Sequence, residues 1–233
     1  MTIGEMVAEN YRTAPVFKKY GIDFCCKGGR TIEEACAAKG IDPQPLLADL
    51  EKAVQEKDAD EVGFSTWKLD RLTNYIEDTH HRFVEQATEQ LKPFLDKVAK
   101  VHGPSHPYLI DLRDMFYETA GNLAQHMKKE ELILFPFIKR MQLAKDTGEP
   151  MPQPPFGTVN NPISMMKAEH EEEGERFEAM SELTNGFNPP EHACNTWRVS
   201  YSLLKEFQDD LHRHIHLENN ILFPKALETE ASA

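Results

Sequence analysis

The segment that decides the fold is His126-Met-Lys-Lys-Glu-Glu-Leu-Ile-Leu-Phe-Pro136, and it recurs as His214-Ile-His-Leu-Glu-Asn-Asn-Ile-Leu-Phe-Pro224. Both copies read His-x3-Glu-x2-Ile-Leu-Phe-Pro, and their first histidines, at positions 126 and 214, are 88 residues apart. Residues four apart lie on one face of an α-helix, so each copy aims an imidazole and a carboxylate in the same direction. The repeat predicts two equivalent helices that carry the same chemical groups.

A second pair of histidines, His81 and His170, keeps almost the same spacing, 89 residues. Apolar residues recur at helical period along nearly the whole chain, and no segment alternates like a strand, which predicts an all-α protein. Long helices are expected at about residues 65–102, 107–145, 162–184 and 191–227. They suggest a four-helix bundle made of two hairpins, each with a lone His on its first helix and a His-x3-Glu on its second.

These helices together deliver four His and two Glu, a set that predicts a metal site. The six residues are His81, His126, Glu130, His170, His214 and Glu218. Imidazole mixed with carboxylate suits iron or manganese, and six ligands in two equivalent sets are too many for one tetrahedral zinc. A two-metal centre bridged by the two Glu is the natural interpretation.

A single His-x3-Glu is commonly a solvated pair on a helix surface, and either copy alone would be interpreted in that way. The repetition argues otherwise, because each copy leads into an apolar run that belongs in a core. A buried His and Glu without a partner would be costly there, and a metal ion offsets that cost. Pro136 and Pro224 are expected to kink or end their helices just past the ligands.

The other histidines carry weaker signals. His80 points about 100° away from His81 around the helix, so it either supports the ligands from behind or lies at the surface. His212 and His216 share a face with each other but not with His214, and a solvated face is expected for them, with a second site as the alternative. Capping or solvent exposure explains the remaining three, His102, His106 and His192. Glu85 and Glu169 are candidates for lining the cavity.

The composition excludes several classes of protein. The chain has 233 residues, 40% of them hydrophobic and 28% charged, and a formal net charge of −13. This balance supports a buried core and argues against disorder. The acidic excess makes nucleic acid and anionic membranes poor partners. The N-terminus does not resemble a leader peptide, which favours a cytoplasmic protein. The four Cys do not form a disulfide scaffold, so free thiols are expected.

The first 60 residues differ in texture from the rest. They hold short helices with clear boundaries: Thr31 and Glu34 form a capping box, Gly40 is a stop signal, and Asp42-Pro43 opens another helix. Their apolar residues suffice for only a modest core, so this part is expected to lean on a partner or on the rest of the chain. We predict a small helical N-terminal domain at 1–60 and the bundle at 61–233.

The N-terminal sequence Asp23-Phe-Cys-Cys-Lys-Gly-Gly29, followed by Thr31-Ile-Glu-Glu-Ala-Cys36, is joined to the duplicated motif. This combination resembles the "repair of iron centres" family of di-iron proteins with a hemerythrin-like domain, and it covers essentially the whole chain. The resemblance implies two non-haem iron ions, held by the four His and bridged by Glu130 and Glu218, with an oxo bridge as a further expectation. It also implies a bacterial cytoplasmic protein, made under nitrosative or oxidative stress, that restores damaged iron–sulfur clusters in client proteins.

The pattern departs from oxygen-carrying hemerythrin, which uses five His, because only four are supplied here. Open positions suit a centre that binds NO or O2, or that releases iron. A ferritin-like centre needs two Glu-x-x-His motifs, and only the one at Glu77 and His80 occurs. Three functions therefore stay open: iron supply for cluster repair, an enzyme or scavenger acting on NO or O2, and a redox or NO sensor. Enzymatic activity and a homodimer are also left open.

Cys25 and Cys26 have two interpretations. Cys is a common core residue, so the pair is either buried and structural or functional. For function, Gly28-Gly29 would provide a flexible backbone that exposes the thiols, and Lys27 and Arg30 would favour thiolate. Such thiols would relay electrons or pass iron from the bundle to a client. Cys36 is expected in the core, and Cys194 lies far along the chain from both.

Overall fold

The structure, a computed structural model, describes residues 1–55 and 63–232. Within these ranges every regular element is helical and no strand occurs, so the predicted all-α class is confirmed. None of the helices in the described ranges is long and apolar enough to cross a membrane. The predicted domain boundary at residues 60 and 61 and the acidic segment just before it lie outside the described residues.

The N-terminal module consists of four short helices. They are α1 (Ile3–Glu9), α2 (Thr13–Lys19), α3 (Ile32–Lys39) and α4 (Pro43–Gln55). The predicted capping box begins α3: the Glu34 amide donates to the Thr31 hydroxyl at 3.2 Å, and the Thr31 amide donates to the Glu34 carboxylate at 2.8 Å. Gly40 ends α3 with φ of 65°, a left-handed conformation that favours glycine.

The module leans on the rest of the chain. Its side chains Ile3, Phe17 and Phe24 are buried in the same apolar cluster as Phe177 and Phe207 of the long helices. The sequence left open whether a partner or the remaining chain would complete this small core. Within the described residues, the long helices complete it.

The long helices form a four-helix bundle of two hairpins. A 3-10 turn at Phe64–Thr66 precedes the bundle, whose helical segments are α5 (Leu69–Tyr75), α6 (Arg82–His102), α7 (Tyr108–Lys129), α8 (Phe135–Thr147), α9 (Asn160–Leu183), α10 (Asn195–Leu217) and α11 (Phe223–Ala231). Segments α5 and α6 make up the first long helix, α7 and α8 the second, α9 the third, and α10 and α11 the fourth. The four lie close to the predicted spans.

Three of the long helices contain a π-helical turn, at Ile76–His81, Glu130–Leu134 and Glu218–Leu222. Pro136 and Pro224 were expected to kink or end their helices; they do not end them, because the chain stays helical to Thr147 and Ala231. Each Pro stands at the second position of the segment after the π turn. The π turn already interrupts the regular α-helical hydrogen-bond pattern at this point, so the N–H that proline lacks is missing where that pattern is already disturbed.

The third long helix begins two residues earlier than predicted. The sequence predicts a helix from residue 162, whereas α9 starts at Asn160. The Glu230 carboxylate closes this end, since it accepts from the Val159 amide at 2.8 Å and from the Thr158 hydroxyl at 2.6 Å. This contact comes from the far end of the chain and has no local signal.

Candidate metal centre

The structure brings all six predicted ligand residues together in the bundle interior. They form two groups, His81, Glu130, His214, Glu218 and His126, Glu130, His170, Glu218. In each group every residue offers one donor atom within 4.8 Å of the others. All six side chains are buried, and both carboxylates are completely inaccessible. The two groups share Glu130 and Glu218, which is the arrangement expected of two adjacent metal positions with bridging carboxylates.

Each shared carboxylate faces one imidazole from each group. Glu130 Oε2 lies 3.4 Å from His81 Nε2 and 3.3 Å from His126 Nε2. Glu218 presents Oε1 to His214 Nε2 at 3.1 Å and Oε2 to His170 Nε2 at 3.0 Å. Glu218 therefore uses one oxygen for each side, whereas Glu130 places one oxygen between the two sides.

Buried atoms without partners test whether a metal fits here. Within the described part of the chain, both oxygens of Glu130, Oε2 of Glu218 and Nε2 of His81 are fully buried and lack a hydrogen bond. Burying carboxylates without partners costs several kcal/mol each, at about the level of a lost buried ion pair. Nitrogen and oxygen donors of this kind suit iron. The residues present therefore fit a pair of cations and leave an energetic deficit without them.

The electrostatics of the centre reflect the same crowding of charge. Burial and the Glu218 carboxylate act to raise the pKa of Glu130, but His126 and His81 outweigh them and hold that pKa below its usual value. Burial acts to lower the pKa of His126, but the carboxylates of Glu130 and Glu169 raise it to about 10. Protons on the imidazoles and cations between the carboxylates therefore compete for the same negative charge.

A hydrogen-bond acceptor orients one histidine in each hairpin, and it comes from the equivalent position of the repeat. His81 Nδ1 lies 3.0 Å from the carboxylate of Glu131, the residue after Glu130. His170 Nδ1 lies 2.9 Å from the side-chain oxygen of Asn219, the residue after Glu218. Such partners fix the tautomer that leaves Nε2 free for a metal. Neither Glu131 nor Asn219 was predicted from the sequence, in which their common position after each repeated Glu was the one available signal.

The other two ligand histidines are supported in different ways. His126 Nδ1 lies 2.8 Å from Glu169, which was a candidate for lining the cavity. His214 Nδ1 is buried and has no hydrogen-bond partner within the described residues. Instead its ring stacks on His80, with centroids 5.5 Å apart and planes at 10°.

His80 occupies the position before His81, as Glu169 does before His170. It is buried rather than at the surface, and its Nδ1 lies 2.9 Å from Asp210. Of the two interpretations of His80, support of the ligands from behind agrees with this placement. Asp210 was not singled out from the sequence.

The Phe near the end of each motif copy also packs on the centre. Phe135 stacks on His81 with ring centroids 5.8 Å apart, and Phe223 stacks on His170 with ring centroids 6.1 Å apart. The planes are within 19° and 4° of parallel. Each apolar run thus holds the lone histidine of its own hairpin, which explains why the same sequence follows both Glu residues.

The Cys-Cys segment touches the centre from the outside. Cys25 is buried and Cys26 half-buried, with their Sγ atoms 3.7 Å apart. Cys26 Sγ lies 3.4 Å from the backbone oxygen of His170. The Asn219 amide that binds His170 also donates to the Cys25 carbonyl at 3.2 Å. One side chain thus joins the N-terminal module to a candidate ligand.

Two features expected to activate this thiol pair are wrong. Lys27 pairs with Glu175 at 3.3 Å rather than with a thiol. The pKa of Cys25 is raised well above its usual value by the hydrogen bond to Cys26 and by burial, so this thiol is not favoured as thiolate. Gly28 does not provide flexibility: its carbonyl accepts from the Gly4 amide at 2.7 Å, and a Cβ there would lie 2.3 Å from the Phe24 carbonyl oxygen. The glycine allows a close backbone approach that locks the segment in place.

The expected solvated face at His212 and His216 is also wrong. His216 is only 1% exposed and packs between Tyr11 and Phe24, with ring centroids 5.8 and 5.9 Å away. His212 is half-buried and meets the edge of Phe24. Docking of the N-terminal module covers this face, which no periodicity within the helix could reveal.

Two family models match the chain. A hemerythrin HHE cation binding domain covers residues 71–226, and the ScdA_N domain, described as a domain of unknown function, covers residues 1–54. The chain is 33% identical to the iron–sulfur cluster repair protein ScdA of Staphylococcus haemolyticus over 96% of both chains. It is 38% identical to the iron–sulfur cluster repair protein YtfE of Pectobacterium atrosepticum, over 98% of this chain and 97% of that protein. It is 36% identical to YtfE of Escherichia coli O17:K52:H18 over the same shares.

Proposed function

This chain belongs to the family of hemerythrin-domain proteins that includes the iron–sulfur cluster repair proteins ScdA and YtfE, and from that premise we propose that it repairs iron–sulfur clusters by supplying iron. One observation carries the proposal: two overlapping groups of buried His and Glu share Glu130 and Glu218. A protein that handles iron for clusters needs a place to hold it. Two positions joined by common carboxylates provide that place for two ions.

The donor set supports reversible holding of iron. Four neutral imidazoles and two carboxylates bring two negative charges to two cations, and six side chains leave coordination positions open on both ions. When bound, iron would supply Lewis acidity and redox chemistry at these open positions. The chain itself contributes orientation, through Glu131, Glu169 and Asn219, and exclusion of bulk water, because all six ligand side chains are buried.

Two cavities flank the Cys-Cys segment and support its role in transfer. One measures about 560 Å³ and the other about 870 Å³, and both are lined by Cys25 and Cys26. Glu171 also lines both, with Glu175 and Glu178 in the first and Glu5 and Glu228 in the second. Basic side chains line both cavities as well, including Lys27 in the first and Lys225 in the second, so the walls are mixed in charge. In the proposed role, the thiols accept iron from the centre, beside His170, and pass it to a client cluster protein.

The free state of the thiols fits this proposal and a cytoplasmic location. All four cysteines are free. A reducing compartment keeps thiols in this form. We place the repair activity there, under conditions of nitrosative or oxidative stress that damage clusters.

The decisive experiment mixes the iron-loaded protein with a cluster enzyme whose cluster has been removed or damaged by NO, and follows cluster recovery and NO consumption together. We expect recovery that is stoichiometric in the iron supplied. Many turnovers of NO per protein without recovery would contradict iron supply and indicate an enzyme or scavenger instead. If the protein neither restores clusters nor consumes NO, but changes the activity of a partner protein, a sensor would be indicated instead.

The thiols are tested in the same assay with Cys25→Ala combined with Cys26→Ala. Because both residues lie outside the ligand set, we expect the iron content to be unchanged and the cluster recovery to be impaired. Cys194→Ala is the matched control, since that thiol is also free but is far from the segment. Full cluster recovery with a stable double variant would show that the two thiols have only a structural role.

A further inference from the structure

Three imidazoles and a thiol gather at the opposite end of the bundle from the metal centre. His102 ends α6 and His106 lies in the following turn, while His192 and Cys194 precede α10. The 21 residues of α6 separate this end from His81, a distance of about 30 Å. Capping and exposure, which the sequence suggested for these histidines, do not account for how they are arranged.

His106 and His192 point their Nε2 atoms at each other. The two nitrogens are 3.1 Å apart and the ring centroids 5.1 Å apart. Two imidazoles on one tetrahedral ion, with metal–nitrogen bonds of about 2.05 Å, would place their nitrogens about 3.3 Å apart. His126 and His170, which share one position of the metal centre, show nearly the same geometry, with 3.0 Å between nitrogens and 4.7 Å between centroids.

A hydroxyl lies where it can set the tautomer of His106. The Ser105 hydroxyl is 3.1 Å from the His102 carbonyl, to which it can donate, and 3.0 Å from His106 Nδ1. When the hydroxyl proton points to the carbonyl, the Ser105 oxygen accepts from His106 Nδ1–H, and His106 Nε2 presents a lone pair. This is the support that ligand histidines receive from neighbouring acceptors, and Glu131 and Asn219 give it to the metal centre.

The surroundings hold both rings in place. Trp197, which is fully buried, meets His106 and His192 edge-on, with centroids 5.1 and 5.9 Å away. Arg198 fixes the loop that carries His192, since its guanidinium donates to the carbonyls of Ala193 at 3.0 Å and Glu191 at 2.6 Å. His192 remains exposed, so an ion could enter from solvent.

We propose that His106 and His192 bind one divalent ion of the class that prefers imidazole, such as zinc, nickel or copper, in a site separate from the iron centre. No third His, Cys, Asp or Glu donor among the described residues lies within 4.8 Å of both nitrogens. Cys194 is instead paired with His102, 3.2 Å from its Nε2. Water therefore fills the remaining positions, and the ion exchanges with solvent.

The test is a calorimetric titration of the iron-loaded protein with Zn²⁺, with the iron content measured before and after so that replacement of iron is detected. Because Asp23, Cys25 and Cys26 form another group that could hold zinc, the titration uses the Cys25→Ala, Cys26→Ala protein as the parent. We expect it to bind one equivalent of zinc, and at least a tenfold lower affinity when His106→Gln or His192→Gln is added. Ser105→Ala should weaken binding roughly tenfold, because it removes the acceptor that fixes the tautomer. The near-ultraviolet absorption and iron content should be unchanged in every variant, since the two sites are far apart.

Cys194→Ser is the matched control, because it alters a neighbouring donor outside the proposed pair. We expect its zinc affinity to stay within about twofold of the parent protein. Equal affinity in the parent and both histidine variants, with normal helical circular dichroism, would overturn the site. A loss in Cys194→Ser as large as in His192→Gln would overturn the two-imidazole assignment. Neither result depends on whether the iron centre serves in cluster repair.

Discussion

The two positions of the candidate metal centre, here called its halves, each take one histidine from each hairpin and share both Glu, yet their surroundings differ. At the position that combines His81 and His214, Glu131 orients the first histidine, and His80 stacks on the second. At the other position, Glu169 orients His126 and Asn219 orients His170.

The first half therefore relies on a carboxylate and an aromatic contact, whereas the second relies on a carboxylate and an amide that also binds the Cys25 carbonyl. Only the second half is connected to the N-terminal module through a ligand's own hydrogen-bond partner, among the described residues. The two halves thus have candidate donors in equal number, and the acceptors behind the histidines give each half its own neighbours.

The largest effect on iron binding is expected at the two carboxylates that both halves share. Glu130→Ala and Glu218→Ala each remove a carboxylate shared by both positions, so we expect iron affinity to fall by more than roughly 100-fold, beyond the effect of an outer partner. Iron analysis and the near-ultraviolet absorption of the oxidised protein measure this. His216→Asn, on the face that docks the module, should retain iron. A Glu variant with full iron and an unchanged spectrum would remove the bridging role.

The difference between the halves is tested by removing the equivalent acceptors. We expect Glu131→Ala and Asn219→Ala each to lower iron affinity by roughly 10–100-fold, because His81 and His170 lose the partner that fixes their tautomer. Only Asn219→Ala should also impair cluster recovery at full iron loading, since it alone breaks the contact with the Cys25 carbonyl. Iron titration and the recovery assay separate the two outcomes. Equal recovery by both variants would show that the halves are not distinguished by this contact.

Packing within the N-terminal module can be loosened without changing a candidate ligand. At Gly28 an added Cβ would meet the Phe24 carbonyl at 2.3 Å, so Gly28→Ala should destabilise the protein by about 1–3 kcal/mol, as overpacking does. Gly29→Ala is the control, because nothing lies within 4 Å of its Cβ, and its effect should stay within about 0.5 kcal/mol. Thermal or urea denaturation measures both. Equal stabilities would contradict the close packing of Gly4 against Gly28.

The smallest effect is expected at His80, which supports only the first half. His80→Gln keeps a donor for Asp210 but removes the ring that stacks on His214. We expect iron affinity to fall less than tenfold, with the change confined to one of the two iron environments in the Mössbauer spectrum. A uniform change of both environments would show that His80 acts on the whole centre.

Helical periodicity along the chain was sufficient to predict the all-α class. The repeat, together with the matching spacing of His81 and His170, was sufficient to predict the six residues that the structure brings together. Their role as ligands stays a prediction, because it follows from spacing alone. The periodicity could not predict the burial of His216, since that depends on a module that packs from elsewhere in the chain. Glu131 and Asn219 were missed because they lie beside the helix face that carries the ligands, and only the arrangement of neighbouring helices brings them to Nδ1 atoms. The helix stop expected at Pro136 assumed an uninterrupted α-helix.

The π turns at Glu130–Leu134 and Glu218–Leu222 also limit which changes of sequence length these two helices can accept. A π turn amounts to one residue more than an α-helix needs, and such bulges are frequent at functional sites. Because each residue turns an α-helix by about 100°, the extra residue shifts the phase of everything after it relative to everything before it. The histidine before the turn and the Phe-Pro step after it can therefore both face the interior. In such a helix, deletion of a single residue would rotate the whole downstream segment away from the centre.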